Sequence, residues 1–361
     1  MEKLSSIALF LSVLVLGSIV PVSCDSSPSP ASSEKSSPLI LEEKSLPPVF
    51  SDYDHLHGSY FRTLYFPISY SHLVFGSPPS QSDSDFAELT VNASLPDIPD
   101  KLIAYKVIRP VVDETYARNL SQRLGFNDPL QFNSTHNTYQ VYRGSPSDDD
   151  SPVLLIREEG SIAIHYDRRL NIYPLSLPSN IECIDIARKW LESYDLYPQN
   201  VVSITASPYI VAMMSGSKES QHTVATSVSF NIGLDGYELF GMGAFFFIGE
   251  KGKVLEVHIN APEFEPYSYV KVQKPELALS ILQDYLNNPS KFRADTPECL
   301  IRDIKRYVTI KSVSLKYFGM ISPNHTQAVH AQPIYVLEGE DKDKPELPWE
   351  TFTAIVDAVS R

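Results

Sequence analysis

Histidines are the first place to look for chemistry. His55 and His57 stand in Asp52-Tyr53-Asp54-His55-Leu56-His57. A His-x-His pair on a strand turns both rings to one face, and Asp52 or Asp54 would add oxygen, which is the donor mix of a zinc-type site. No further His or Cys lies near in sequence, so the segment reads as a polar surface loop. Asp148-Asp149-Asp150 offers oxygens suited to calcium but lacks the glycine and distal glutamate of an EF-hand, and reads as a solvated loop. Ser215-Gly216-Ser217-Lys218 has Ser-x-x-Lys spacing without a partner motif. There is no nucleophile elbow in a catalytic context and no His-Glu-x-x-His. Carboxylates abound, but none are marked out as a glycosidase pair. Trp190 and Trp349 read as core or sheet face rather than as the wall of a sugar groove. The sequence therefore assigns no catalytic residue, no metal site and no cofactor.

Charge narrows the partners. Acidic residues number 44 against 30 basic ones, a net charge of −14. Phosphate binding needs clustered Lys and Arg, and Arg168-Arg169 and Lys305-Arg306 are isolated pairs. The charge argues against nucleic acid and against an anionic membrane surface as partners. An apolar share of 43 % is enough for a packed core.

The amino terminus carries an export signal. Lys3 precedes an apolar run over 7–16, broken only by Ser12, and Gly17, Ser18, Ser23 and Cys24 follow. That order is a signal peptide over 1–24, and the run is short of the ~20 apolar residues of a membrane span. Val20-Pro21-Val22-Ser23-Cys24 resembles a bacterial lipobox, which implies that Cys24 is lipidated; ordinary cleavage after Cys24 is the alternative. Residues 25–44 open with a run of Ser, Pro, Ala and acid and read as a flexible tether. Beyond it, about 310 residues suit two domains, expected over 45–178 and 179–361. Cys183 and Cys299 either form one disulfide in an oxidising compartment or remain buried thiols.

These residues would be held by a recurring local pattern. Three helices are expected, over 113–124 with Asp113 as N-cap, over 181–194 capped by Asn180, and over 275–286 opened by Pro275. A shorter helical piece is expected from Pro297. Strands are expected over 86–93, 139–142, 153–157, 161–166, 201–206, 209–214, 224–232, 244–248, 254–259, 308–318, 332–338 and 352–359. Turns at Glu158-Glu159-Gly160 and Gly249-Glu250-Lys251-Gly252 suggest two hairpins. The expected fold is α+β: repeated units of a helix followed by antiparallel strands, with helices packed on antiparallel sheets.

The third unit carries a family resemblance. Its segments are Glu276-Leu277-Ala278-Leu279, a strand ending Leu315-Lys316-Tyr317-Phe318, then Gln332-Pro333-Ile334-Tyr335-Val336-Leu337-Glu338-Gly339, and Phe352-Thr353-Ala354-Ile355-Val356-Asp357-Ala358-Val359. Over about residues 180–361 this resembles the Yyc-type extracytoplasmic regulators of the cell-wall histidine kinase and lipoproteins with PepSY-like modules. Those regulators carry a transmembrane helix where this chain has a lipobox-like segment. The resemblance implies a non-enzymatic binding or regulatory module outside the membrane; with the lipobox-like Cys24 and the tether, the expected protein is lipid-anchored, with a membrane or cell-envelope protein as its partner. The alternative is a secreted hydrolase acting on cell-wall or other polysaccharide. The last expected strand, with Phe352, Ile355, Val356 and Val359, is a candidate edge for a partner strand; internal pairing is the alternative.

Overall fold

The computed structural model describes residues 13–14, 41–44, 46, 88–145, 151–167, 174–215, 218–287, 299–301, 307–319, 330–341 and 351–360. Its strands are β1 (Val13–Leu14), β2 (Glu88–Val91), β3 (Lys101–Ile108), β4 (Gln131–Asn133), β5 (Thr138–Tyr142), β6 (Val153–Arg157), β7 (Ile162–His165) and β8 (Val201–Ser215). They continue as β9 (Lys218–Leu234), β10 (Tyr237–Ile248), β11 (Val254–Asn260), β12 (Glu263–Lys271), β13 (Cys299–Ile301), β14 (Tyr307–Gly319), β15 (His330–Asp341) and β16 (Thr351–Asp357). The helices are α1 (Glu114–Arg123), α2 (Asn180–Ser193) and α3 (Pro275–Asn287).

The expected α+β repeat is not what forms. The strands join into one mixed sheet, and the three α-helices among the described residues lie on it as partial cover. One half runs β4-β5-β6-β7-β11-β10-β9-β8, with every neighbour antiparallel. In the other half β15 is flanked by β14 and β16, while β14 pairs in parallel with both β2 and β10. Strands on either side of residue 178 share ladders, β7 with β11 and β3 with β12, so the segments 45–178 and 179–361 do not build separate sheets. Periodicity reports a strand's faces but not its partners, and the partners here lie far away in sequence. The repeat reading also missed β1, β3, β4, β12 and β13; β1 lies within the apolar run expected to be a signal peptide, and β13 occupies part of the stretch expected to be helical from Pro297.

β10 joins the two halves. Asp235 and Gly236 (φ 51° and 82°) make the tight turn from β9, both in the left-handed region that a type I′ hairpin turn demands. Tyr237 and Glu238 pair with Leu234 and Gly233, the register then shifts, and Gly243 resumes opposite Asn231. Within the shifted stretch Leu239 pairs with Tyr317 of β14. This large bulge turns the strand from one half-sheet to the other. The junction is packed by Tyr105, Ile232, Leu239, Met242 and Tyr317. The Tyr317 hydroxyl donates to the Ile103 carbonyl at 2.7 Å.

Two further cores fill the halves. Ile184, Ala187 and Leu191 of α2, with Ala117 and Leu120 of α1, pack on Val228, Phe246, Val257 and Ile164. Truncating a buried leucine such as Leu191 to alanine costs about 2–5 kcal/mol. Ala278 and Leu282 of α3 cover Val308, Ile310, Val313, Leu315 and Leu337. In β14 the buried positions change from even to odd between Ile310 and Val313, because a register shift between Ile310 and Ser312 restores the same face. Asp113 caps α1, accepting from the Tyr116 N–H at 2.7 Å. The cap of α2 is Ser179, in a reciprocal capping box with Glu182, rather than Asn180.

Candidate metal centre

Strands β7 and β11 bring three ligand-type side chains together. In their antiparallel register Glu256 lies directly opposite His165, and His258 lies two residues along β11 on the same face. The intervening Ile164, Val257 and Ile259 point into the helix-covered core, so the triad occupies the opposite face of the sheet. One donor atom from each of His165, Glu256 and His258 lies within 4.8 Å of the others. His165 Nδ1 is 3.4 Å from Glu256 Oε2, and His258 Nε2 is in hydrogen-bond contact with Glu256 Oε1. The two imidazoles meet edge to face, with centroids 5.6 Å apart.

Burial and charge suit a cation. The Glu256 side chain is 17 % exposed and each histidine 26 %, enough for access from solvent. Burial pushes the Glu256 carboxyl up, but hydrogen bonds from His165 and His258 outweigh it and hold the group at about 2. The Tyr209 phenol is pushed up to about 12 by burial and then by the Glu256 charge. Phe247 lies opposite Glu256 and Phe245 opposite His258, so the triad is flanked by aromatic side chains. Two imidazoles and a carboxylate are the donors of zinc and related divalent transition metals. Donors of a tetrahedral zinc site stand about 3.4 Å apart at ordinary bond lengths, close to the His165–Glu256 spacing.

The expected site residues fall elsewhere. Cys24, His55, His57, Asp148-Asp149-Asp150, Trp349 and both basic pairs lie outside the described residues. Cys183 is a free, buried thiol in the core under α2, its Sγ 3.7 Å from the Pro178 carbonyl oxygen, rather than half of a bridge. Cys299 stands in β13, its backbone paired with Val356. Ser215 and Lys218 pair across the β8–β9 connection. Trp190 packs edge-on against Phe246, a core contact. The proposed partner edge is corrected: β16 is paired on one side by β15 and on the other by β13, and Ile355, Val356 and Val359 are buried. Interior pairing removes the free N–H and C=O groups that an incoming strand would need.

The triad escaped sequence reading. Glu256-Val257-His258 has the two-residue spacing that was sought at His55 and His57, but its third ligand comes from a strand far upstream in the chain. No protein-family model matches the chain, and no curated protein matches it. Among solved structures, an uncharacterized protein from Eubacterium rectale is similar with a TM-score of 0.43 at 11 % identity, over 76 % of this chain and 88 % of that one.

Proposed function

We propose that this protein is an exported, lipid-tethered, non-enzymatic binding module that holds a divalent transition metal, zinc foremost, at His165, Glu256 and His258. The observation that carries the reading is the convergence of those three donors on one sheet face. The signal-peptide layout, Cys24 and the Ser/Pro tether support a location at the extracytoplasmic face of a membrane. The likeness to Yyc-type and PepSY-like proteins supports a regulatory role toward an envelope protein. Calcium and magnesium prefer all-oxygen sites, so two imidazoles select against them.

A second reading has a specific motive. Three protein ligands leave one coordination position for water, the arrangement of a hydrolytic zinc. Side chains directly opposite the triad in the ladder are Val153, Ala163, Phe245 and Phe247, which supply no general base, and the Tyr209 phenol, pushed up by burial and the Glu256 charge, is a proton donor only. Binding is therefore preferred over hydrolysis. The test is titration of zinc into chelator-washed protein, followed by calorimetry and elemental analysis. One ion per chain, lost in His165→Ala and His258→Ala, is expected; wild-type affinity in both variants would remove the site.

A further inference from the structure

We propose that a cavity at one end of the sheet, separate from the histidine triad, binds a cationic, hydroxyl-bearing molecule of monosaccharide size: an amino sugar. The cavity has a volume of about 370 Å³, near the lower end of ligand pockets. It is walled by the β6–β7 turn, the loop that follows α2, and the β11–β12 connection.

Its lining has one sign of charge. Glu159, Asp195 and Glu263 contribute carboxylates, and none of the lining residues is Lys, Arg or His. In a chain of net charge −14 such a recess attracts a cation. Glu159 is only 6 % exposed. Its Oε1 accepts from Ser161 Oγ at 2.7 Å, and that hydroxyl accepts from Arg157 Nη1 at 3.2 Å. The carboxylate is thus held in place through a hydroxyl, which fixes it as an acceptor for an ammonium group.

The remaining lining matches hydroxyls. Gln199, Asn200 and Asn260 supply amides, each both donor and acceptor. Asn260 Nδ2 is buried with no hydrogen-bond partner among the described residues. A buried donor left unpaired is costly, and a ligand hydroxyl would satisfy it. Tyr116, Tyr197 and Phe264 offer aromatic surface for the apolar face of a sugar ring. Tyr197 is 39 % exposed and braced edge-on by Phe230 at 5.7 Å.

The walls are preset. Asp195 and Asn200 bracket the loop after α2 with left-handed backbones, φ 53° and 58°. The Gly233 N–H donates to the Asn200 carbonyl at 2.9 Å, anchoring that loop to β9. A Cβ on Gly160 would meet Pro110 at 2.7 Å, so the hairpin turn abuts the opposite wall.

The experiment titrates the full chain by calorimetry with glucosamine, N-acetylglucosamine, glucose and calcium chloride. Glucosamine is expected to bind about tenfold or more tightly than the two uncharged sugars, the worth of one charge-assisted hydrogen bond. Glu263→Gln and Asp195→Asn, changes nearer the surface that leave Glu159 and its contacts intact, should each weaken glucosamine severalfold. Glu159→Gln, checked for folding by its melting curve, should abolish the preference for the amine. His258→Ala should bind glucosamine as the wild type does, which separates this site from the metal reading. Equal affinity for glucosamine and glucose, no glucosamine binding at all, or calcium binding that survives while the sugar does not, would each overturn the proposal.

Discussion

A Cβ on Gly243 would lie 2.0 Å from the carbonyl oxygen of Phe230 on the neighbouring strand. Gly243 also has φ +134°, a region that L-residues rarely adopt. It stands where β10 leaves its bulge and rejoins β9, the point that links the two half-sheets. Gly243→Ala should therefore destabilise the protein by more than about 3 kcal/mol, because clash and backbone strain add. Gly236→Ala is the contrast. There φ is +82° with nothing within 4 Å of the new methyl, so only backbone strain of about 1–2 kcal/mol remains. Urea melts of the two variants should differ in midpoint in that order.

Metal should act as a folding ligand. A ligand at a hundred times its dissociation constant adds about 2.7 kcal/mol to the folded state. Zinc should therefore raise the melting temperature of the wild type but not of His165→Ala or His258→Ala, and calcium should not substitute for it. Because imidazole must be deprotonated to bind, the zinc-induced shift should shrink as pH is lowered. Thermal melts with and without zinc at several pH values provide the check.

His330 should give the metal-free protein a mild acid sensitivity. Its ring packs at a tilt against Tyr267, with centroids 4.3 Å apart, and its Nε2 is buried. Burial, then the charges of Lys106 and Lys44, push its pKa below the ordinary 6.5. The unfolded chain takes up the proton first, so the neutral ring contributes stability above pH 6.5 that is lost as pH falls from there through the lowered folded value. A variant with an uncharged ring, His330→Phe, should lack this component. Denaturant midpoints measured from pH 7.5 to 5 should fall more steeply for the wild type than for His330→Phe; a difference between the two proteins that stays constant with pH would show that His330 is not the source.

Ile355→Pro should unfold the carboxyl-terminal half. Ile355 sits opposite Leu300 on one side and Val336 on the other, and is 1 % exposed. Proline removes a ladder donor and is tolerated only at edges. A cooperative, wild-type melt from this variant would contradict the interior position of β16.

Cys24→Ala should release the protein from membranes. The expectation rests on the lipobox-like segment and the tether after it. Fractionation unchanged by the substitution, together with no acyl label on the wild type, would rule out the lipid anchor.

Local chemistry was legible in the chain itself. All three helices lie within one residue of their expected limits, since apolar stripes and caps such as Asp113 act over a few residues. The β6–β7 and β10–β11 hairpins were legible too, because Gly160 and Gly252 announce their turns. At the start of β11 the ladder carries a bulge, with Phe247 opposite Glu256 and Ile248 opposite Val254. Strand partnership belonged to the tertiary structure alone. Nothing near Leu239 names Tyr317, and nothing near Glu256 names His165, because ladder hydrogen bonds are alike at every residue and only burial of the whole sheet selects a register. The metal triad and the acidic cavity depend on that selection, and so does the burial of β16 as an inner strand. Each is assembled from segments that are remote in sequence, so the pairing had to exist before the chemistry could.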